Sequence, residues 1–188
     1  MIEKTVFAGF GGQGIISLGQ IWVYCGMKEG KRVSFFPFYG AEKRGGIARA
    51  SCVVSDADIP SPIITRASSA VVMNGDSLEV CADVLDDGGL MIVNSSLVPL
   101  SSIPKAILDR FKVIPVAATE IAEKLGNIRM ANMVMLGALA RHTHALVLEK
   151  IESVLEGFFT GSKRKLLSAN VDAIQAGFTD TSTTTPNE

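Results

Sequence analysis

Phe7 to Gly19, read FAGFGGQGIISLG, turns a strand into a helix, and the rest of the chain is organised around that turn. The apolar lead-in Val6-Phe7-Ala8 has the length and β-preference of a buried strand, and Gly9, Gly11, Gly12 and Gly14 follow it directly. Glycines accept positive φ and carry no side chain, so backbone N–H groups can converge on an anion or on another backbone at the positive end of the following helix. The spacing Gly9-x-Gly11-x-x-Gly14 matches the dinucleotide fingerprint, which also needs an acid about 20 positions on, at the tip of the second strand. Glu29 has the distance but not the place. It lies in Lys28-Glu29-Gly30-Lys31, where Gly30 reads as a helix C-cap, so it precedes the second strand, Arg32 to Phe36. That strand runs into Pro37-Phe38-Tyr39-Gly40 with no carboxylate, which leaves nicotinamide or flavin without a ribose partner. Close helix-to-sheet packing with no ligand is the competing reading of the turn.

Composition narrows the classes. The 188 residues suit one domain, expected over 1–178, with a flexible tail at 179–188. Hydrophobic residues make up 47% and charged residues 20%, which implies apolar surface for a partner to cover. A formal net charge of −1, with no basic run longer than Lys163-Arg164-Lys165, removes nucleic acid as a partner. The start Met1-Ile2-Glu3-Lys4 enters a strand without an export signal, and the longest apolar run, Met130 to Ala140, is too short for a membrane span of roughly 18 residues. A cytoplasmic protein with no membrane contact is expected. Cys25, Cys52 and Cys81 sit singly among apolar neighbours, as small buried hydrophobes do.

Beyond the first helix (Gln13 to Met27), strands are expected at Ile47–Ser55, Ala70–Met73, Leu90–Val93 and Lys112–Val116. Asp76 or Ser77 should cap a helix reaching Leu85, Asp86 to Gly89 should form a turn, and Pro104 to Arg110 a short helix. Short apolar strands separated by helices predict an α/β fold, a three-layer α/β/α arrangement with a largely parallel, Rossmann-like sheet. Helical patterns at 119–125, 131–141, 146–158 and 163–177 add C-terminal helices. The second of these is apolar all round except Asn132, so it is buried in the domain or under a neighbour. Between the second and third strands, Phe36 to Gly46 mixes aromatics, charges and glycines, a composition made for contact.

Chemistry of its own is poorly represented. His142 and His144, the only histidines, point about 200° apart on a helix and cannot share a metal. No serine or cysteine stands beside a base in a recognisable nucleophile motif. The sequence therefore assigns no catalytic residue and no metal ligand.

Four stretches together resemble the gamma subunit of 2-oxoacid:ferredoxin oxidoreductases: Gly9-Phe10-Gly11-Gly12-Gln13-Gly14-Ile15, Tyr39-Gly40-Ala41-Glu42-Lys43-Arg44-Gly45-Gly46, Ser61-Pro62, and Asn132-Met133-Val134-Met135-Leu136-Gly137. The second is the most specific. Similar sequences place an acid after Ser61-Pro62 and ahead of the next strand, where this chain has Arg66-Ala67-Ser68-Ser69. The resemblance implies an accessory subunit of a cytoplasmic heterotetramer with alpha, beta and delta partners. Thiamine diphosphate with Mg and the iron–sulfur clusters would lie in those partners, and ferredoxin or flavodoxin would accept the electrons. The implied reaction takes a 2-oxoacid and coenzyme A to acyl-CoA and carbon dioxide, with 2-oxoglutarate the expected substrate in central carbon metabolism.

Two groups of residues are expected to carry this role. Gly9, Gly11, Gly12, Gln13 and Gly14 would meet a cofactor such as coenzyme A or a partner's backbone, Gln13 because a long amide among glycines can reach outward. Tyr39, Glu42, Arg44, Gly45 and Gly46 would form a loop at a subunit interface or at the mouth of a shared active site, where Arg44 can hold a carboxylate or phosphate bidentately. A stand-alone dinucleotide-binding enzyme and a non-catalytic interaction module are the alternatives.

Overall fold

Short apolar segments can be buried on both faces only by pairing side by side between helices, and six segments of this chain pair into one sheet with helices on both sides. The computed structural model describes residues 1–39, 46–148 and 151–180, without the side chain of Tyr39. Strands β1 (Ile2–Phe10), β2 (Arg32–Tyr39), β3 (Ile47–Ser55), β4 (Ala67–Val72), β5 (Leu85–Asn94) and β6 (Lys112–Val116) form one sheet in the order β2-β3-β1-β4-β5-β6. The pairs β1–β4, β4–β5 and β5–β6 are parallel, and β3 runs antiparallel to both β1 and β2. The sheet is thus largely parallel, with β3 alone reversed.

Helix α1 (Ile15–Lys28) buries Ile15, Leu18, Trp22 and Cys25, the residues its period selects. It lies directly on β2 and β3, because a Cβ at Gly19 would stand 2.9 Å from Phe35 Cε2 and one at Gly26 would stand 3.0 Å from Val54 Cγ1. After Glu29 the helix stops at Gly30, with Lys31 N–H donating to the Gly26 carbonyl at 3.0 Å. Glu29 itself accepts from the Val147 N–H at 2.8 Å, tying the helix end to a distant loop, and burial raises its carboxyl above the usual range.

On the opposite face, α2 (Ser77–Ala82) and α3 (Lys105–Arg110) close a second core over Val6, Ala8, Val72, Met91 and Val93. Two local expectations change here. The side chain at the start of α2 is neither Asp76 nor Ser77 but Asn74, whose Oδ1 accepts from the Ser77 N–H at 3.1 Å and the Ser77 hydroxyl at 2.9 Å. Asp86 to Gly89 is an irregularity inside β5 rather than a turn before it, since the pairing with β4 jumps between Ala67 and Ser69.

The C-terminal helices α4 (Ala118–Lys124), α5 (Ala131–Thr143), α6 (Ile151–Glu156) and α7 (Leu167–Thr179) join α1 in the larger core. Every residue of α5 from Ala131 to Ala140 is buried, so the all-apolar helix is covered by this chain itself. Its closest neighbour is α7. A Cβ at Gly137 would overlap the Ile174 carbonyl oxygen, and one at Gly177 would overlap that of Val134, so the two helices touch backbone to backbone. The helix expected from 163 begins instead as a 3-10 segment, Gly161–Leu166, before α7. Residues 181–188 of the expected tail lie outside the described residues.

Candidate functional site

The glycine turn sits where β1 ends, and each of its residues has a separate task. Gly9 is packing: a Cβ there would come within 2.8 Å of Ile15, Gln13 and Met73. Gly11 faces open space and donates its N–H to the Gly46 carbonyl at 3.3 Å. Gly12, at φ 98°, is exposed with nothing near it, and Gly14, at φ 74°, begins α1 in the left-handed region. The first helical bond runs from Leu18 N–H to the Gly14 carbonyl at 2.9 Å, so the N–H groups of Ile15, Ile16 and Ser17 have no helical acceptor.

Gln13 is folded back into the turn. Its Oε1 accepts from the Phe10 N–H at 2.7 Å and from Asn74 Nδ2 at 3.0 Å, which leaves the two Nε2 hydrogens for other partners. Asn132, at the start of α5, donates from Nδ2 to the Gly14 carbonyl at 3.3 Å across 118 residues of sequence. The first and fourth motifs are therefore one structural unit.

Beside the turn a crevice of about 270 Å³ is lined by Gly12, Gln13, Met73, Asn94, Thr119 and Asn132, among others. It lies at the carboxyl ends of β1, β4 and β5, where the helices after β1 and β4 leave to opposite faces, the usual place for ligands in open α/β sheets. Asn94 is fully buried and held by Thr119, donating from Nδ2 to Oγ1 at 2.9 Å and accepting the Thr119 N–H at 3.4 Å. Asn74, Asn94 and Thr119 were not among the expected site residues. The available signal was an asparagine closing an otherwise apolar strand.

The second motif is reached only at its ends. Glu42, Arg44 and Gly45, with the side chain of Tyr39, lie outside the described residues. The Tyr39 backbone pairs with Ala48, and Gly46 binds Gly11 through its carbonyl, so the segment starts and finishes beside the glycine turn. Ser61-Pro62 is elsewhere, at the amino end of β1, where Ser61 Oγ accepts the Ile63 N–H at 3.1 Å. Arg66, just ahead of β4, pairs with Asp86 at 3.5 Å.

The donor chemistry for a metal or iron–sulfur cluster is poor. Burial pushes the Cys25 and Cys81 thiols up to about 12 and raises Cys52 as well, so all three stay protonated. Among the described residues no group of three or more His, Cys, Asp and Glu could hold a metal ion. Burial first, and then the Arg141 charge, holds His142 below the usual imidazole value, while His144 is exposed at φ 52°. No helix among the described residues is long and apolar enough to cross a membrane.

Residues 4–179 match the family described as pyruvate ferredoxin/flavodoxin oxidoreductase. The chain is 34% identical to ketoisovalerate oxidoreductase subunit VorA of Methanothermobacter thermautotrophicus over 93% of its own length but 35% of VorA, so it spans about a third of that relative. It is 33% identical to the pyruvate/ketoisovalerate oxidoreductases common subunit gamma of Thermococcus kodakarensis, over 96% of this chain and 97% of that one. With 2-oxoglutarate synthase subunit KorC of Methanothermobacter marburgensis it shares 34% identity over 94% of this chain and 95% of the relative. The crystal structure of the keto/oxoacid ferredoxin oxidoreductase gamma subunit from Geobacter sulfurreducens has the same fold, with a TM-score of 0.79 and 24% identity over 95% of each chain. A family match that runs unbroken from β1 to the last helix leaves one assignment: the chain belongs to the pyruvate ferredoxin/flavodoxin oxidoreductase family.

Proposed function

We propose that this chain is the gamma subunit of a multisubunit 2-oxoacid:ferredoxin oxidoreductase, folded as one domain over residues 1–178 and working in the cytoplasm. The observation that carries the reading is the near end-to-end likeness to separate gamma-type chains, which serve in complexes named for pyruvate, ketoisovalerate and 2-oxoglutarate. Thiamine diphosphate with Mg and the iron–sulfur clusters belong to alpha, beta and delta partners; for the clusters, the thiols of this chain are buried apart and protonated. Among the oxoacids we choose 2-oxoglutarate, in keeping with the likeness to KorC chains of the same length. The test is purification of the tagged chain from its own cells. Co-purified subunits should oxidise 2-oxoglutarate faster than pyruvate or ketoisovalerate, with coenzyme A and ferredoxin or a viologen. The isolated chain should oxidise none of them, and thiamine-dependent turnover by it alone would overturn the proposal.

Within the complex, the glycine turn and its crevice would receive an anion such as the pyrophosphate of coenzyme A, or a partner's backbone. The free N–H groups of Ile15 to Ser17 and the Gln13 Nε2 hydrogens favour this reading over packing alone. A side chain at Gly12 would strain the backbone at φ 98°, so Gly11, which faces open space, is the better position to fill. Gly11→Val should raise the coenzyme A KM or weaken assembly several-fold while the melting temperature stays within about 2 °C of wild type, as for an unstrained surface change. Unchanged kinetics and assembly would make the turn purely structural. The loop residues Tyr39, Glu42, Arg44 and Gly45 are proposed to face the same interface.

A further inference from the structure

Phe36 and Phe38 are 47% and 52% exposed, whereas Phe7 is buried and Phe10 and Phe35 are half-buried in the same sheet. They lie on the face of β2 opposite to Phe35 and Val33, which α1 covers, and among the described residues no helix packs comparably on that outer side of β2 and β3. Arg49 stands directly across from Phe38 on β3, its guanidinium 5.3 Å from the Phe38 ring centre. Its Nε is buried and has no hydrogen-bond partner, and among the described residues it forms no ion pair. A half-buried guanidinium without a carboxylate is costly in a free subunit and is satisfied when an anion arrives. Aromatic rings around an arginine are also the composition of interface hot spots. Pro37, on the edge strand itself, removes a donor and disfavours pairing by strand addition, so the face rather than the edge is the contact.

We propose that Phe36, Phe38 and Arg49 form a docking surface for another subunit of the same oxidoreductase, which brings a carboxylate set among apolar side chains onto Arg49. The inference rests on the gamma-subunit reading and names the surface that serves it. VorA holds the equivalent of this chain in about a third of its own length. A unit joined covalently to another in one protein needs a surface of its own to hold that neighbour when the two are separate chains. The strand pairing at Tyr39 and Ala48 lies one row from Gly9 on β1, and Gly46 binds Gly11 in the glycine turn, so a docked subunit would reach the crevice too.

The test measures binding of the purified chain to the subunits that co-purify with the wild type. Arg49→Glu and the double change Phe36→Ser, Phe38→Ser should each raise the Kd at least tenfold, with Arg49→Lys in between, while Trp22 fluorescence reports an unchanged fold. Wild-type binding should weaken with salt more steeply than that of Arg49→Met. Unchanged Kd values in both variants would overturn the docking surface and leave the gamma-subunit reading standing. A wild type that co-purifies with no oxidoreductase subunit would overturn both. Self-association of the wild type that Arg49→Glu abolishes would assign the face to a second copy instead, and protection of β2 by inorganic phosphate alone would assign it to a small anion. If the variants fail to fold, hydrogen exchange in the wild-type complex decides: slowed exchange over 36–38 and 48–50 supports the surface, and unaltered exchange there overturns it.

Discussion

Gly14 and Asn132 are a coupled pair. Gly14 occupies φ 74° at the head of α1, and a Cβ there would overlap the Asn132 amide that donates to its carbonyl. Gly14→Ala therefore meets both a left-handed backbone and a clash, and should cost about 2–3 kcal/mol in urea unfolding followed by Trp22 fluorescence. Asn132→Ala removes one hydrogen bond and should cost about 1 kcal/mol. In the double variant the clash is gone, so the combined loss should fall short of the sum by roughly 1 kcal/mol. Strict additivity would mean that the two residues do not share a contact. At this scale the sequence was only partly legible: the glycines marked the turn, but nothing in the local sequence indicated that Asn132 or Asn74 would brace it.

Among the elements, the α5–α7 pair depends most on close approach. Backbone contact at Gly137 and Gly177 lets both helices bury along their length, and a methyl group at Gly137 would force the axes apart. Gly137→Ala should destabilise by about 3 kcal/mol, whereas Gly75→Ala, which enters open space, should change stability by less than about 1 kcal/mol. Comparable effects at the two positions would refute the packing argument. The apolar periodicity located the strands β3 and β6 at their observed limits and α5 to within two residues. It misplaced the start of β5 because Asp86-Asp87-Gly88-Gly89 has the composition of a turn, and pairing with β4 holds it in the sheet as an irregularity instead. Residues 161–166 form a 3-10 segment that starts at Gly161 with φ 57° and buries none of its side chains, so no packed face holds them in a regular helix.

For the whole molecule, the consequence of this architecture is that residues far apart in the chain meet beside the glycine turn. The glycine turn, the Asn94–Thr119 pair, Asn132, and the two ends of the 40–45 segment meet at the carboxyl edge of the sheet, and Phe36, Phe38 and Arg49 adjoin them. The buried thiols and separated histidines take no part. By itself the sequence determined the α/β class, the limits of β3 and β6, and the family motifs, because periodicity and glycine spacing are local properties of the chain. It also determined what apolar α5 would require, though not that α7 would supply it. Only the tertiary structure decided that β3 runs against its neighbours, that Gln13 is braced by Asn74, and that Arg49 has no acid beside it among the described residues. These depend on which residues far apart in sequence are brought together, and hydrogen-bond satisfaction and charge pairing are properties of that assembled surface.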